Sequence, residues 1–322
     1  MKSPNSGRAV KTDRQDVSCG LVVAGREMRI AGQLTWSGDF ARRTVQVLVP
    51  GYTYDHNYWD FPHRPESYSY VSAAVNRGYA TLALDRLGTG ASSHPPAHLL
   101  TLDNHVAALN TVIAALRSGR LADTAKSRII SVGHSLGSAV VAGHAVSADR
   151  TGRHSRPDAV VLTGFSHLVM PGTGLFYAGG WWRPRQRGPE VRPPRGYRTT
   201  IPGSRRLLFY APGPVERDVI VVDEQLKSTT AHYREALGRM RNEALRTRAL
   251  RTPVLVITGS RDTIVCGTQA WMRVERRFYD PSTDATCLSV RGAGHCLNTS
   301  PSSGQTFNQI LEWCDSRIGA GV

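Results

Sequence analysis

The sequence predicts an α/β fold, a mostly parallel sheet with helices on both faces, on three observations. Short apolar runs alternate with longer stretches of helical periodicity, the rhythm of strand-helix-strand units. The strand-like runs are apolar throughout rather than at every second position, as expected of strands covered on both faces. A glycine-flanked serine, Gly133-His-Ser-Leu-Gly137, stands where one such run meets a helical stretch.

Taken in order, the elements are these. Leu21–Val23 and Met28–Leu34 read as a hairpin joined through Ala24-Gly25-Arg26. Thr44–Val49 is a β-branched run closed by Pro50-Gly51, and a polar, aromatic loop follows over Tyr52–Trp59. A helix is expected over Tyr68–Arg77, stopped by Gly78, and then a strand over Ala80–Leu84. Thr101–Arg117 carries apolar residues at helical spacing with Asp103 in its first turn, where a negative charge meets the positive end of the helix dipole. Arg128–Val132 and Ala159–Leu162 are strands flanking an Ala- and Val-rich helix over Ser138–Val146. The rhythm breaks from Ser166 to about Arg251, a stretch with Trp181, Trp182, several prolines and an arginine-rich run. Its second half, Val222–Arg248, reads as helical. A structureless loop of that length is improbable, so the stretch is expected to be a lid or cap over the ligand-binding edge of the sheet. The rhythm resumes with strands over Pro253–Thr258 and Thr286–Val290 and helices near Thr268–Arg277 and Gln305–Arg317. The expected organisation is a flexible segment 1–16, a first core part 17–165, the insertion 166–251 and a second core part 252–322.

Composition narrows the function. With 40% hydrophobic and 20% charged residues the chain reads as an ordinary globular protein. The net charge of +15 raises an anionic partner, but lysine occurs only at Lys2, Lys11, Lys126 and Lys227, and no nucleic-acid motif accompanies the arginines. No nucleic-acid partner is expected. The polar segment from Met1 to Asp16 lacks the apolar core of a secretory signal, and no apolar run approaches the roughly 18 residues that span a bilayer. A soluble, cytoplasmic protein is expected, with no membrane partner and an oligomeric state left open. The cysteines Cys19, Cys266, Cys287, Cys296 and Cys314 show no zinc spacing and read as free buried thiols, although Cys266 and Cys296 each closely follow a residue of the site below and a bridge between them stays open.

The chemistry gathers on three residues. In Gly133-His-Ser-Leu-Gly137 the serine sits on a strained strand-to-helix turn that projects its hydroxyl, and the glycines let strand and helix approach. A serine hydroxyl needs a base, and the base needs an orienting acid. Asp262 follows one strand, in Gly259-Ser-Arg-Asp262, and His295 follows the next, in Gly292-Ala-Gly-His295. Loops beyond the carboxyl ends of strands in such a sheet converge on one edge, so Ser135, Asp262 and His295 are expected to meet there.

These motifs, in the order Ser, Asp, His, resemble the α/β-hydrolase superfamily, in its esterase-like branch, over roughly Thr44–Arg317. The resemblance implies the α/β-hydrolase fold, a Ser135–His295–Asp262 triad and an oxyanion hole made by the backbone amides of Tyr52 and Leu136. Pro50-Gly51-Tyr52 departs from the family's more usual His-Gly-x, which a backbone donor tolerates. Asp85–Ser92 also resembles the family's turn after its next strand. The implied activity is a serine hydrolase that cleaves a carboxylic ester, lactone or thioester through an acyl-enzyme, without cofactor or metal. Aromatics of the insertion, Phe176, Tyr177, Trp181, Trp182, Phe209 and Tyr210, suggest a medium-sized apolar substrate. Thr53, His134, Phe165, Phe176 and Trp181 are candidate substrate contacts. A cyclase, acyltransferase or carbon-carbon hydrolase in natural-product metabolism is the alternative on the same fold. A binding protein with a vestigial triad is the reading from another class.

Other residues weigh less. Gly88-Thr-Gly90 lacks the third glycine of a dinucleotide loop. Asp55, His56, Asp60 and His63 are metal ligands by type, in no metallohydrolase spacing, and read as a polar loop near the site mouth. His105 and His144 fall on helices and read as structural. Ser166 and His167 stand where some family members carry the triad acid, but neither is a carboxylate.

Overall fold

The computed structural model describes residues 11–122, 124, 127–151, 155–171, 173, 181–182, 194–213, 215–230 and 247–321. Its centre is an eight-stranded sheet in the order β1-β2-β4-β3-β5-β6-β9-β10. β1 (Asp13–Val23) and β2 (Arg26–Trp36) form an antiparallel ribbon, and β2 pairs antiparallel with β4 (Ala80–Leu84). From β4 onward every pairing is parallel, through β3 (Val45–Val49), β5 (Ile129–His134), β6 (Ala159–Thr163), β9 (Val254–Gly259) and β10 (Ala285–Val290). The hairpin is longer than its apolar residues suggest: β1 starts at Asp13, inside the segment expected to be flexible, because its outer half is an exposed edge that needs no apolar side chains. Ala24 and Gly25 both take positive φ, 51° and 72°, the backbone of a tight two-residue hairpin turn.

Parallel strands need crossovers, and the helices supply them. The short α1 (Pro65–Tyr68) and α2 (Tyr70–Asn76) lead into β4; α3 (Leu102–Arg117) precedes β5, capped by the Thr101 hydroxyl on the Asn104 amide; α4 (Leu136–Thr151) joins β5 to β6. The strands alternate between two cores, which is why they read as unbroken apolar runs. On β9, Val254 and Val256 face the core that includes Leu109 and Val112 of α3 and Val140 of α4, while Leu255 and Ile257 face the core that includes Val71 of α2. At about 1.5–3 kcal/mol per fully buried aliphatic side chain, these two layers fix the strand register and hence where the strand ends point.

Between β6 and β9 the described parts are a two-stranded ribbon, β7 (Trp181–Trp182) with β8 (Thr199–Thr200), then α5 (Arg205–Phe209) and α6 (Arg217–Leu226). The helix expected over Val222–Arg248 departs from this: α6 stops at Leu226 and the chain turns extended to bridge Arg198 through Thr230. Residues 231–246 of that expected helix lie outside the described residues, and 247–249 form one 3-10 turn. α7 (Gln269–Glu275) and α8 (Ser303–Arg317) complete the fold, with the α8 residues Phe307, Ile310 and Leu311 in the second core. No helix among the described residues is long and apolar enough to cross a membrane.

Candidate active site

Ser135 lies between β5 and α4 with φ 53°, a left-handed backbone that a side-chain-bearing residue rarely adopts. Its amide donates to Thr163 O of the neighbouring β6 (2.9 Å), which pins the turn to the sheet. The flanking glycines act by contact. A Cβ on Gly137 would collide with the carbonyl oxygens of Val49 and Pro50, and one on Gly133 would meet the Gly137 carbonyl and the Ser138 Cα at 2.5 Å. α4 therefore begins hard against the end of β3. Leu136 heads that helix, whose first amides have no carbonyl four residues back to bond.

The loop after β3 passes directly beside this turn: a Cβ on Gly51 would lie 3.0 Å from the Ser135 Cβ. The Gly51–Tyr52 peptide is held from one side. Arg86, buried just beyond β4, donates through Nε to Pro50 O and through Nη2 to Gly51 O, both at 2.9 Å. In a planar trans peptide the N–H points opposite to the C=O, so a guanidinium on Gly51 O turns the Tyr52 amide the other way.

The candidate acid and base come from the adjacent ends of β9 and β10. Two backbone bonds tie these loops, Ser260 N to Val290 O (2.8 Å) and Arg261 N to Ala293 O (2.9 Å). Asp262 is almost wholly buried. Its Oδ1 accepts from the amides of Ile264 (2.8 Å) and Val265 (3.0 Å), leaving Oδ2 at 2.8 Å from His295 Nδ1. A carboxylate on Nδ1 fixes that nitrogen as the donor and leaves Nε2 as a free base. His295 reaches towards the serine turn, its Cε1 3.2 Å from a Cβ position on Gly164, the residue after Thr163. Ser135 and His295 line one cavity of ≈10 Å³ with Tyr52, Tyr54, His134, Phe209 and Ile264, a volume of about one water molecule.

The other expected contacts divide. His134 is buried, stacked on the Tyr58 ring at 4.3 Å and tilted against the His295 ring at 5.0 Å, with Nδ1 3.1 Å from Thr163 Oγ1. Burial pushes its pKa well below the usual histidine value, and a proton on the neighbouring His295 would push it the same way, so it is held neutral. Thr53 is not a substrate contact: it is wholly buried and its hydroxyl accepts from Arg205. Phe165 packs in the core against β6 and β9 and does not line the cavity. Phe176 lies outside the described residues, as does the side chain of Trp181, whose backbone pairs with Thr200. Cys266 and Cys296 are both free, their thiols turned to Met170 Sδ (3.8 Å) and Tyr54 Oη (2.8 Å). Ser166 and His167 clasp the buried Glu275, through Ser166 Oγ (2.8 Å) and His167 Nδ1 (2.6 Å). Asp55 and His56 do meet a third potential ligand, Asp85, within 4.8 Å, but hydrogen bonds within the loops already occupy them: Asp85 Oδ1 takes the amide and Nδ1 of His56, and Asp55 caps Asn57. The neighbouring Asp60 serves Arg14 and Ser69 instead.

Sequence reasoning missed Tyr54, Ile264 and the two buried arginines, Arg86 and Arg205. Ile264 was within reach, since an acid loop that wraps its carboxylate with its next amides brings residue i+2 to the site. Nothing in a run of arginines marks which one turns inward.

Fold and site together define an α/β hydrolase scaffold with a serine at the nucleophile turn. The chain belongs to the α/β hydrolase family, whose model matches residues 46–304. Among solved structures it is similar to an epoxide hydrolase from Vigna radiata (TM-score 0.59, 16% identity, covering 96% of this chain and 99% of that one). It is also similar to a monoacylglycerol lipase from Paleococcus ferrophilus (0.55, 16%, 95% and 99%) and to the thioesterase domain of the curacin biosynthetic pathway (0.55, 14%, 94% and 99%). No curated protein sequence matches it.

Proposed function

We propose that this protein is a serine hydrolase that cleaves a carboxylic ester, lactone or thioester of an apolar substrate through an acyl-enzyme. The reading rests on one observation above all: His295, held 2.8 Å from the buried Asp262, shares its cavity with a serine held at positive φ. The neighbours' activities span epoxides, glycerides and thioesters and do not choose a bond; a serine rather than a carboxylate at the turn favours acyl transfer.

In this reading His295 Nε2 takes the Ser135 proton as Oγ adds to the substrate carbonyl. The oxygen that becomes negative is met by the amides of Tyr52 and Leu136 at the head of α4. Collapse expels the alcohol or thiol, which leaves with the proton from His295. Water, deprotonated by the same imidazole, then attacks the acyl-enzyme, and the acid product leaves with Ser135 reprotonated. Asp262 orients His295 and stabilises the imidazolium throughout. The stretch 166–251 serves as a cap, and its Phe209 together with Tyr54 forms the aromatic wall that an acyl group displaces on entry.

Intact-mass analysis after incubation with p-nitrophenyl esters, lactones and thioesters tests this. The expected result is one acyl adduct per chain, mapped to Ser135, and a loss of turnover on the order of 10⁴-fold or more in Ser135→Ala. Turnover that survives in Ser135→Ala would overturn it in favour of a template or proton-shuttle reaction.

A further inference from the structure

We propose that Arg205 is a positioning residue for catalysis: through Thr53 it sets the loop that presents the Tyr52 amide, and so couples the inserted segment to the reaction. The inference rests on the serine-hydrolase reading and adds a residue that reading does not need.

The argument starts from what the insertion touches. The residues Arg205–Tyr210 bond in turn to each loop of the site. Arg205 Nη1 donates to Thr53 Oγ1 on the loop after β3 (2.8 Å). Leu208 O accepts from Thr263 Oγ1 beside the acid (2.8 Å), and Phe209 O accepts the amide of Cys296 beside the base (2.9 Å). Tyr210 Oη accepts from Thr299 Oγ1 further along the base loop (3.0 Å). Within Arg205–Tyr210, contacts to the acid and base loops use carbonyls and a phenol, while the contact to the oxyanion loop is made by one charged side chain.

That side chain is wholly buried. Arg205 Nε and Nη2 grip Asp223 of α6 at 2.8 and 2.9 Å, with neither side chain exposed, and the guanidinium lies 4.3 Å above the Tyr54 ring and 5.0 Å from that of Phe209. Two of the rings that line the cavity are thus stacked on it. Burial alone would lower the Arg205 pKa, but Asp223 and the rest of its surroundings raise it well above the usual value, so it is charged. A buried ion pair contributes little net stability against a well-packed apolar pair, so stability alone does not account for it. What an apolar pair would lack is the third bond, to Thr53.

Thr53 needs that bond. It is β-branched at φ 57°, a strained backbone, and is held from both ends: Oγ1 by Arg205, and the carbonyl by the amide of Ser228, just past α6 (2.8 Å). Arg86 holds the preceding peptide from beneath the same loop. Release of Thr53 removes one of these holds, and the Tyr52 amide, still tied through Gly51 O to Arg86, is fixed less tightly.

Three variants and a control separate positioning from folding: Thr53→Val, Thr53→Ser, Arg205→Lys, and Leu207→Ala on the exposed outer face of α5. Two readouts are taken at matched thermal stability: the rate of Ser135 labelling by a fluorophosphonate together with steady-state ester kinetics, and hydrogen exchange of the peptide covering residues 50–55. Thr53→Val and Arg205→Lys are expected to cut labelling and kcat by ten- to a hundredfold with KM within about threefold, and to speed exchange in that peptide. Thr53→Ser is expected to restore both, and Leu207→Ala to change neither. Unchanged exchange and unchanged rates in Thr53→Val would overturn the proposal. Faster exchange in a protein whose wild type labels at no serine would leave the positioning intact and overturn the serine-hydrolase reading instead.

Discussion

Ser135, at φ 53°, and Thr53, at φ 57°, carry nearly the same strained backbone, and different surroundings enforce it. At Ser135 the strain is held by main chain: its amide is bonded to β6, and glycines on both sides let β3 and α4 close against it. At Thr53 it is held by a guanidinium and an amide that both belong to the insertion. The comparison teaches that one half of the site is as robust as the sheet, while the other depends on a few polar side chains.

The largest effect expected from breaking the first half comes from Gly137→Ala. Its methyl would meet the carbonyls of Val49 and Pro50, neither of which can move without shifting β3, so destabilisation of about 3 kcal/mol or more, with loss of activity, is expected in denaturant titrations. Relieving the strain at each position sharpens the contrast. Ser135→Gly is expected to raise stability by about 1 kcal/mol while it removes the nucleophile. Thr53→Gly gains the same relief but leaves a buried Arg205 donor unpaired, at about 1–3 kcal/mol, so the net change is expected to be a loss. Equal shifts in the two variants would mean that the two positions are held alike.

The last effect is gradual, a dependence on pH whose sign differs between the halves. Burial beside Ser135 depresses the His134 pKa, so the folded chain takes up that proton later than the unfolded one. The contribution is present above the unfolded value near 6.5 and is lost as pH falls below it, by up to about 1.4 kcal/mol per pH unit. On the loop after β3, the hydrogen bond that His56 donates to Asp85 raises the His56 pKa, so that contribution is present below the unfolded value and is lost as pH rises through the folded one. Between pH 7 and 5, wild type is expected to lose stability relative to His134→Gln and to gain it relative to His56→Gln. Parallel slopes would contradict the assignment.

The same division marks how far the sequence could be read. The sheet, its crossovers and the residues at strand ends were legible because burial on both faces writes apolar runs, and because a strained serine turn demands glycines at fixed places; Ser135, Asp262 and His295 all follow from that. The family resemblance added the Tyr52 and Leu136 amides, a step that the residues alone did not give. The insertion was legible only as an interruption. Its described contacts are made by backbone carbonyls, by α5 of five residues and by Arg205, which is buried where Arg195, Arg206 and Arg217 are exposed or half-buried, and none of these leaves a periodic trace. Thr53 was read as a substrate contact for the same reason: a threonine beside a catalytic loop has the same letters whether its hydroxyl faces a ligand or a buried guanidinium.

A cavity of ≈10 Å³ around Ser135 has a kinetic consequence. If the chain is the serine hydrolase proposed above, an acyl chain would need this space widened, for instance by the Tyr54 and Phe209 rings moving apart, and turnover would begin with a pre-equilibrium between shut and open forms. With an open population of about one molecule in a hundred, apparent affinity is weakened by about a hundredfold relative to the open form. Bulky covalent inhibitors would then show slow onset whose rate saturates at the opening step, and small electrophiles would outpace them.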